Sequence, residues 1–517
     1  MNVIFWGGLV RFGEALLAGA PTLLVGLFVA GVFRKLIGPA VTFRIFGGTS
    51  WRSLPQAWLW GMLLPVCSIG VIPVVYELRR AGLKGGAILA FALTAPLFNP
   101  LSLLYGLTLS TPIVILSFAM GSLIVVTSVG LLWDWLFPNS ETHEPSEPLV
   151  PPGLKRLAAV AIVAARHMAG PTALYASIGL AGSIVLAAIF PFASLTDSMA
   201  HTDPWAPLEM LMLALPAYAT PLNVIMQVGG MFVHGNSVGA AYVLLSLGTG
   251  ANLGLIAWAW STYGFKRAFV FLTAFIAVVM ATAYAINDPL YSAGNVEHPH
   301  THAFDVYACP FSPSNSSDLP HRTWAKLSQD AQPYEIMALS AVALLLVGGL
   351  VLRVFDPGHR LEEALATASE DRTSRASWLD ATVPAPVLGV TAILGLIAFS
   401  IVGCFVYYPA PDQTLEDMRY VKADALSYAS SKDVEKAAKS IETYDDLTRR
   451  LQVGYYLRHW QLSDYQQAKA RVLRGRLEQL KDILEEKQFE RVSQAVAAVS
   501  NAHRRVVAAF DDSKAET

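Results

Sequence analysis

Long apolar stretches separated by short polar segments recur along the first four fifths of the chain. A helix needs about 20 apolar residues to cross a bilayer core. The stretches therefore predict membrane-spanning helices at 14–34, 86–106, 110–133, 173–193, 237–260, 267–286, 336–354 and 386–408. Prolines and glycines interrupt two more stretches, 56–78 and 207–231, which predict broken or re-entrant helices. Because backbone that leaves a helix at membrane depth must be covered by protein or line a wet cavity, these two stretches predict a pathway.

The amino-acid composition supports a membrane fold. Hydrophobic residues make up 54% of the 517 residues and charged residues 15%, whereas a soluble protein carries about 25% charge. The net charge is only −2, and the chain lacks the basic face that a nucleic-acid partner requires. The predicted fold class is an all-α polytopic integral membrane protein whose main partner is the lipid bilayer.

A charged tail follows the apolar part of the chain. Residues 410–517 contain 18 of the 37 Lys and Arg residues and 18 of the 39 Asp and Glu residues. Helical spacing at 414–429, 431–453, 463–487 and 488–510 predicts a small, water-soluble antiparallel bundle or hairpin. Its outer face is either simply solvated or docks a periplasmic protein or a second copy of the chain. The aromatic residues that favour docking are Tyr455, Tyr456, Trp460 and Tyr465.

The distribution of Lys and Arg predicts the orientation, since cytoplasmic loops are enriched in both. The basic segments are 34–52, 79–84, 155–166, 266–267 and 353–375. They all fall on one side if the two interrupted stretches dip into the membrane and return, whereas full crossings separate the first two segments. We therefore predict a multi-pass protein of the cell (inner) membrane with its N-terminus and its tail outside.

The sequence also contains a weak internal repeat. Residues 85–104 align without gaps to 237–256 at an offset of 152, and Leu64-Pro65 aligns to Leu215-Pro216 within one residue. Under the predicted orientation the two units start on opposite sides, so they form inverted repeats of the kind that build secondary transporters. The alternative is a chance alignment of apolar segments.

Together these patterns predict six regions. They are a first transmembrane repeat (1–137), a cytoplasmic linker with an amphipathic stretch (138–172), a second transmembrane repeat (173–286), an external His-rich loop (287–335), two additional transmembrane helices with their connecting loop (336–408) and a soluble helical tail (409–517).

The stretch 64–104 combines cysteine, glycine, proline and asparagine at fixed spacings. These residues are Pro65, Cys67, Ser68, Gly70, Pro73, Gly82, Pro96, Asn99 and Pro100. The pattern resembles the signature of the ArsP/YraQ family of predicted permeases, a Pro-x-Cys-Ser-Cys-Gly-x-x-Pro element followed by a Pro-x-x-Asn-Pro turn, and the resemblance covers roughly residues 10–286. Ile69 stands where the family has its second cysteine. The resemblance implies an integral-membrane permease, and characterised relatives export trivalent organoarsenicals.

Around this motif the sequence predicts a substrate pathway. Its predicted residues are Pro65, Cys67, Ser68, Gly70, Pro73, Pro96, Asn99 and Pro100 in the first half and Pro216, Thr220, Asn223, Asn236 and Asn252 in the second. Trivalent arsenic prefers sulfur ligands, as soft metals do. Cys67 is the only cysteine in the motif, and a lone buried thiol often serves only as an apolar filler. The polar side chains have the alternative role of helix-packing hydrogen bonds.

The energy source is predicted to be an ion gradient. The sequence has no G-x-x-x-x-G-K-[ST] loop for nucleotide phosphates. No paired carboxylates, HExxH motif or Ser/His constellation that would indicate an enzyme is expected at membrane depth. Ionisable groups inside a membrane are functional candidates, and the predicted proton carriers are Glu14, Glu77 and His234. Ordinary ion pairs with Arg11 and Arg80 are the alternative for the two carboxylates. The predicted function is a secondary transporter that exports a small soft solute, such as a trivalent (organo)arsenical or a related metalloid or metal species.

The loop GNVEHPHTHAFDVYACPF (294–311) indicates a competing function. His298, His300 and His302 alternate along it, and Cys309 follows. Imidazole and thiolate groups at this density can bind zinc or copper, which would make the protein a metal-binding accessory or sensor protein of the membrane. The alternative is a solvated, turn-rich loop. No other cofactor is predicted.

Overall fold

The chain is described here from a computed structural model that covers residues 2–108, 112–138, 155–195, 198–291, 301, 303–312, 318–367 and 383–510. The regular elements in these ranges are all helices, which confirms the predicted all-α fold class. They form two compact units, one of residues 1–103 with 113–398 and one of 104–112 with 399–517.

The first half of the membrane part begins with a long helix and continues with shorter ones. Its helices are α1 (Asn2–Val32), α2 (Pro39–Ile45), α3 (Ser53–Leu63), α4 (Val71–Arg80), α5 (Gly85–Thr94), α6 (Pro100–Leu107) and α7 (Pro112–Leu136). Proline begins α2, α6 and α7, a position where its missing N–H has no helical partner to lose. A π-helical turn, Phe33–Ile37, follows α1 and lengthens this apolar run to 36 residues.

The second half follows the same order. Its helices are α8 (Lys155–His167), α9 (Ala173–Ile189), α10 (Ala206–Ala214), α11 (Pro221–Val233), α12 (Val238–Val243), α13 (Leu253–Tyr263) and α14 (Phe265–Asn287). A π-helical turn, Met168–Thr172, contains Pro171 and joins α8 to α9 across a kink at Gly170. The stretch 155–172, predicted as part of a linker, therefore belongs to one apolar run, Lys155–Ile189.

Four helices follow the second half within the membrane part that the structure describes. They are α15 (Leu319–Asp330), α16 (Pro333–Phe355), α17 (Arg360–Thr367) and α18 (Ala385–Tyr407). The helices α16 and α18 coincide with the two additional spans predicted at 336–354 and 386–408. Because α15 packs against α1, the described end of the predicted external loop is helical and attached rather than turn-rich.

Six helical runs among the described residues are long and apolar enough to cross a membrane, or seven if the bent pair Val238–Thr249 and Leu253–Tyr263 counts as one span. The predictions of continuous helices at 86–106 and 237–260 are wrong. The first ends at Thr94, because Pro96 and Pro100 lack the N–H donors that a continuous helix needs. The second bends by 56°.

Four breaks now interrupt the helices of the two halves. The first break lies at 64–70, the second at 95–99, the third at 215–220 and the fourth at 250–252. The first and third confirm the interruptions predicted within 56–78 and 207–231. The second coincides with the Pro-x-x-Asn-Pro turn of the motif, although the stretch 86–106 was predicted to be a continuous helix, and the fourth was not predicted.

Matching contacts recur in the two halves. The Gly86 N–H donates to Asp134 Oδ1 at 3.0 Å, and the Gly239 N–H donates to Asn287 Oδ1 at 3.0 Å. The two bonds are displaced by 153 residues along the chain, one more than the predicted offset of 152. Each bond fixes the start of a short helix, α5 or α12, to the end of a long one, α7 or α14.

At one end of the long helices, three ion pairs bring basic segments together. Lys35 Nζ lies 2.5 Å from Glu362 Oε2, and Arg166 lies 3.1 Å from the other oxygen of the same carboxylate. His167, next to Arg166, lies 2.7 Å from Glu77 near the end of α4. The segments 34–52 and 79–84 therefore lie at the same end, as expected if the stretch 56–78 dips in and returns.

Contacts at the other end join different loops. Arg11 Nε donates to the Ala308 carbonyl at 2.9 Å, and the Cys309 N–H donates to the Phe190 carbonyl at 2.9 Å. Asn236 Nδ2 donates to the Met199 carbonyl at 3.2 Å. Both ends of the stretch 207–231 therefore also lie together. Which end faces the cytoplasm stays a prediction.

The described tail contains four helices, α19 (Pro411–Ser430), α20 (Val434–His459), α21 (Asp464–Glu485) and α22 (Val492–Phe510). Each helix packs against the next, and α19 also packs against α22. Met418, Tyr444, Leu477 and Val499 are among the buried residues of their shared core. The predicted helical tail is confirmed.

Two polar contacts inside the tail bundle have displaced pKa values. Burial alone would raise the pKa of Asp445, but Arg449 and Arg474, each at 2.8 Å, lower it to about 2. His503 Nδ1 lies 2.6 Å from the Tyr444 hydroxyl, and burial lowers the pKa of His503 to about 4. The bundle therefore holds one ionised carboxylate and one neutral imidazole near pH 7.

Candidate functional site

The first break carries the cysteine motif. α3 ends at Leu63 and Pro65 has no N–H to continue it, so the chain turns through Cys67, Ser68 and Gly70 before α4 begins. These residues are buried, and the Gly70 N–H donates to Cys67 Sγ at 3.4 Å. A Cβ on Gly70 would lie 3.3 Å from Leu23 Cα of α1, so glycine allows α1 to approach the break closely.

The second break ends in a reciprocal cap. Asn99 Oδ1 accepts the Ser102 N–H at 2.7 Å, and Ser102 Oγ accepts the Asn99 N–H at 2.9 Å. These bonds satisfy two backbone donors at the start of α6, as helix-capping side chains do. Pro100 occupies the first helical position, where it needs no donor.

The third and fourth breaks are capped in the same way. Thr220 Oγ1 accepts the Asn223 N–H at 3.4 Å, and Asn252 Oδ1 accepts the Leu255 N–H at 2.9 Å. Asn252 lies 153 residues after Asn99 and makes the equivalent cap. The two asparagines are thus corresponding residues of the two halves.

The breaks meet one another in the interior. Asn252 Nδ2 donates to Ser68 Oγ at 2.7 Å, and both side chains are fully buried. A Cβ on Gly250 would lie 3.1 Å from Leu97 Cδ1, so the fourth break also contacts the second. The first, second and fourth breaks therefore lie together in the buried interior.

The third break adds an aromatic residue that was not predicted. Tyr218 belongs to the same buried cluster as Cys67, Leu23 and Leu180, and its hydroxyl lies beside Cys67 and Thr22. Among the described residues this hydroxyl has no well-formed hydrogen bond. A tyrosine in an apolar run gives no sequence signal of such a position, because its burial depends on the packing of α1 and α9.

Other predicted pathway residues lie apart from this region or at its margin. Pro73 is buried on α4, and the side chain of Asn223 is exposed on α11. Asn236 fixes the loop after α11 by donating to the Ser198 and Met199 carbonyls at 3.2 Å each. These bonds hold the loop in place, and a part of Asn236 in the pathway stays a prediction.

The predicted proton carriers have different environments. Glu14 accepts a hydrogen bond from Arg11 at 2.7 Å and forms the ordinary ion pair considered as an alternative. Glu77 does not pair with Arg80 but with His167, at 2.7 Å. His234 is buried at the end of α11. Glu77 and His167 belong to different halves, so sequence proximity gave no sign of the pair.

A buried ion network lies beside this pair. Lys35 and Arg166 bind Glu362, and Arg166 also lies 2.8 Å from Asp356. Burial would raise the pKa of Glu362, but hydrogen bonds from Lys35 and His359 lower it to about 2. The network fixes the α16–α17 segment to both halves.

The candidate metal ligands are only partly visible. His298, His300 and His302 lie outside the described residues. Cys309 is buried against Val10, Phe311 and Leu319. Within the described ranges, no group of three or more His, Cys, Asp or Glu side chains has an arrangement suited to a metal ion. The metal hypothesis stays a prediction, as does a partner of the tail.

Comparisons with known proteins place the chain among membrane permeases. The model of the ArsP_1 family, described as a predicted permease, matches residues 9–288, just over half of the chain. The UPF0718 protein YcgR of Bacillus subtilis (strain 168) is 28% identical over 144 residues, which are 26% of this chain and 47% of that protein. The chain thus spans about half the length of this curated relative. No solved structure matches the chain.

Proposed function

Because the chain belongs to the ArsP_1 family of predicted permeases, we propose that it is a secondary transporter that exports a small soft solute through the region where the breaks meet. The observation that carries this proposal is the 2.7 Å hydrogen bond from Asn252 Nδ2 to Ser68 Oγ. This bond joins the two halves at backbone that has left the helix, where a membrane protein can expose carbonyl and N–H groups to a solute.

The matching contacts of the two halves support transport by alternating access. The Gly86–Asp134 bond holds the start of α5, close to the end of α4 where Glu77 lies. Gly239, which makes the equivalent bond, follows Ser237, and the Ser237 N–H donates to the Met199 carbonyl at the opposite end of the long helices. Equivalent elements then run in opposite directions. Two inverted copies around one site allow it to open to either side in turn.

A trivalent organoarsenical suits the surroundings of Cys67. One thiolate supplies only one of the three ligands of trivalent arsenic, so other substituents must occupy the remaining positions. Leu23, Leu27 and Leu180 belong to the same buried apolar cluster as Cys67, and such apolar side chains favour methyl groups over the hydroxyl groups of arsenite. Methylated arsenicals are therefore the proposed substrates, with sulfur as the atom that selects arsenic.

Uptake into everted membrane vesicles tests this proposal. A panel of trivalent methylated arsenicals, arsenite, zinc and copper is compared for the intact protein, Cys67→Ser and Ser68→Ala. We expect uptake of methylated arsenicals that is lost with Cys67→Ser and reduced with Ser68→Ala. Cys404→Ser is the matched control, because Cys404 is also buried and unpaired but lies in α18.

Two results would contradict the proposal. Arsenical uptake that is insensitive to both substitutions would remove the substrate from the breaks. Zinc or copper uptake without arsenical uptake, lost in a His298, His300 and His302 triple alanine variant, would move the function to the external loop.

A further inference from the structure

A carboxylate and an imidazole from different halves meet in the membrane part. Glu77 Oε1 of α4 lies 2.7 Å from Nε2 of His167, the last residue of α8. The side chain of Glu77 is 5% exposed and that of His167 is 12% exposed. Ionisable groups are expensive in such surroundings and are usually functional.

The charged groups packed around this pair are largely committed to other partners. Lys35 and Arg166 bind Asp356 and Glu362. Arg79 lies over the ring of Tyr263 at 5.6 Å. Glu77 and His167 therefore form an ion pair of their own, separate from the partners of these neighbouring charges.

Other basic and aromatic groups complete the surroundings. Arg353 of α16 donates to the Ala169 carbonyl at 3.4 Å. Arg34 lies in the π-helical turn after α1, and Arg44 and Arg80 are exposed on α2 and α4. The ring of Tyr76 lies 6.2 Å from that of His167. Tyr175 lies on α9, which begins directly after the turn that follows His167. Its hydroxyl shares a hydrogen bond of 2.5 Å with the Ser261 hydroxyl.

Both members of the pair lie on elements that lead to the breaks. Glu77 is on α4, which begins directly after the first break. The ring of Tyr76, its neighbour, packs edge-on at 6.3 Å against Trp258 of α13, which begins directly after the fourth break. His167 precedes the π-helical turn in which Gly170 leaves helical geometry. A change in the pair thus acts on the elements that hold Ser68 and Asn252.

We infer that Glu77 and His167 together form the proton-binding site that couples solute movement to a proton gradient. The inference rests on the proposed transport function. Histidine changes charge near physiological pH, and with an adjacent carboxylate the pair can hold one proton as a neutral ion pair and release it as a single negative charge. Loss of the proton removes the charge of the imidazolium, which weakens the attraction between α4 and α8 and allows the two halves to move.

The residues that correspond to Glu77 and His167 in the opposite halves do not form a second pair. Glu14 lies 153 residues before His167, and Gln227 is the seventh residue of α11, as Glu77 is of α4. Glu14 binds Arg11, and Gln227 accepts a hydrogen bond from Tyr307 at 2.7 Å. The second half therefore offers an amide where the first offers an acid.

Proteoliposomes that contain the full chain separate coupling from transport. One assay measures exchange of a trivalent methylated arsenical at equal pH on both sides, which needs no net proton movement. The other measures accumulation driven by an imposed pH gradient, with an internal pH dye to follow protons. The variants are Glu77→Gln and His167→Gln. His321→Gln is the matched control, because His321 lies 3.9 Å from Asp318 in an exposed pair.

We expect both variants to keep exchange and to lose gradient-driven accumulation by about 5- to 150-fold, the usual range of a coupling between two sites. The swapped variant, Glu77→His with His167→Glu, is expected to restore part of the accumulation and of the proton signal. The control is expected to behave as the intact protein.

Three results would overturn the inference. Accumulation that is unchanged in both variants would show that protons bind elsewhere. Loss of exchange together with accumulation, without recovery in the swapped variant, would assign the pair a structural role. Absence of exchange in the intact protein would instead overturn the proposed transport function and the inference with it.

Discussion

The two halves of the membrane part share their scaffold but differ at their centre. Asn99 and Asn252 cap equivalent helices with equivalent bonds of 2.7 and 2.9 Å. Asn252 Nδ2 also donates to Ser68 of the other half, whereas the hydrogen bonds of Asn99 to Ser102 stay within its own cap. Corresponding residues thus have the same local role and unequal contacts across the centre.

The difference shows that capping a helix and contacting the opposite half are separate roles of these asparagine side chains. A capping side chain is fixed by its own helix, since its acceptor bonds a backbone N–H three residues away. The amide nitrogen is available to the opposite half. In a protein that alternates between two states, one asparagine amide contacts the opposite half in each state, and the two asparagines exchange this role between the states.

The largest expected effect comes from substituting two glycines, one in each half, that allow a long helix to pack closely against a break. Carbonyl oxygens of Gly70 and Pro216 occupy the space that a Cβ would need on Gly26 and Gly182, respectively. Because backbone must move to admit a methyl group, we expect Gly26→Ala and Gly182→Ala each to lower the free energy of unfolding by about 3 kcal/mol or more. Thermal unfolding in detergent measures the loss.

Glycines in the additional spans provide the control for this prediction. No atom lies within 4 Å of a Cβ built on Gly348 of α16 or Gly395 of α18. Gly348→Ala and Gly395→Ala should leave the unfolding temperature unchanged or raise it slightly. Equal effects at all four glycines would show that the halves have no special packing.

The tail provides a contrast, because its buried histidine has a tyrosine instead of a carboxylate as partner. Burial lowers the pKa of His503 to about 4, from a usual 6.5. The unfolded tail therefore binds more protons than the folded tail between these values, so its unfolding free energy falls as the pH falls from 6.5 to 4, by up to roughly 3 kcal/mol.

Hydrogen exchange of α19–α22 in the full chain, followed across this pH range, tests the contrast. His503→Gln should remove the pH dependence between 4 and 6.5. The remaining dependence should appear as the pH falls from 3.8 to about 2, where the unfolded tail takes up the Asp445 proton before the folded tail does. A tail whose protection is flat above pH 4 in the intact protein would contradict the assignment.

The smallest expected effect compares the two asparagines directly. Asn99→Ala removes a helix cap, at a cost of about 1 kcal/mol. Asn252→Ala removes the same cap and also the buried bond to Ser68, so we expect about 2 kcal/mol. A double-mutant cycle with Ser68→Ala measures the difference, since the coupling should be present with Asn252 and close to zero with Asn99. Equal coupling for both would mean that the halves contact each other symmetrically.

Much of the architecture was predictable because it depends on local sequence. The six long apolar runs, the breaks at Pro65 and Pro216 and the tail helices follow from hydropathy, proline and helical spacing. The family was predictable from the motif at 65–100, since fixed spacings of cysteine, glycine, proline and asparagine are rarer than hydropathy alone. The break at 95–99 lies at the Pro-x-x-Asn-Pro turn of the motif but fell inside a predicted continuous helix, and the break at 250–252 was missed, because apolar segments flank both.

Only the tertiary structure determines which residues the site residues contact. Sequence placed Glu77 near Arg80 and gave no sign of His167, 90 residues away. It placed Ser68 and Asn252 in a pathway without bringing them together across 184 residues. The reason is physical: hydropathy and capping act within one or two helical turns and can be read along the chain. Which buried polar group finds which partner depends on how separate helices pack, and only the folded chain decides that.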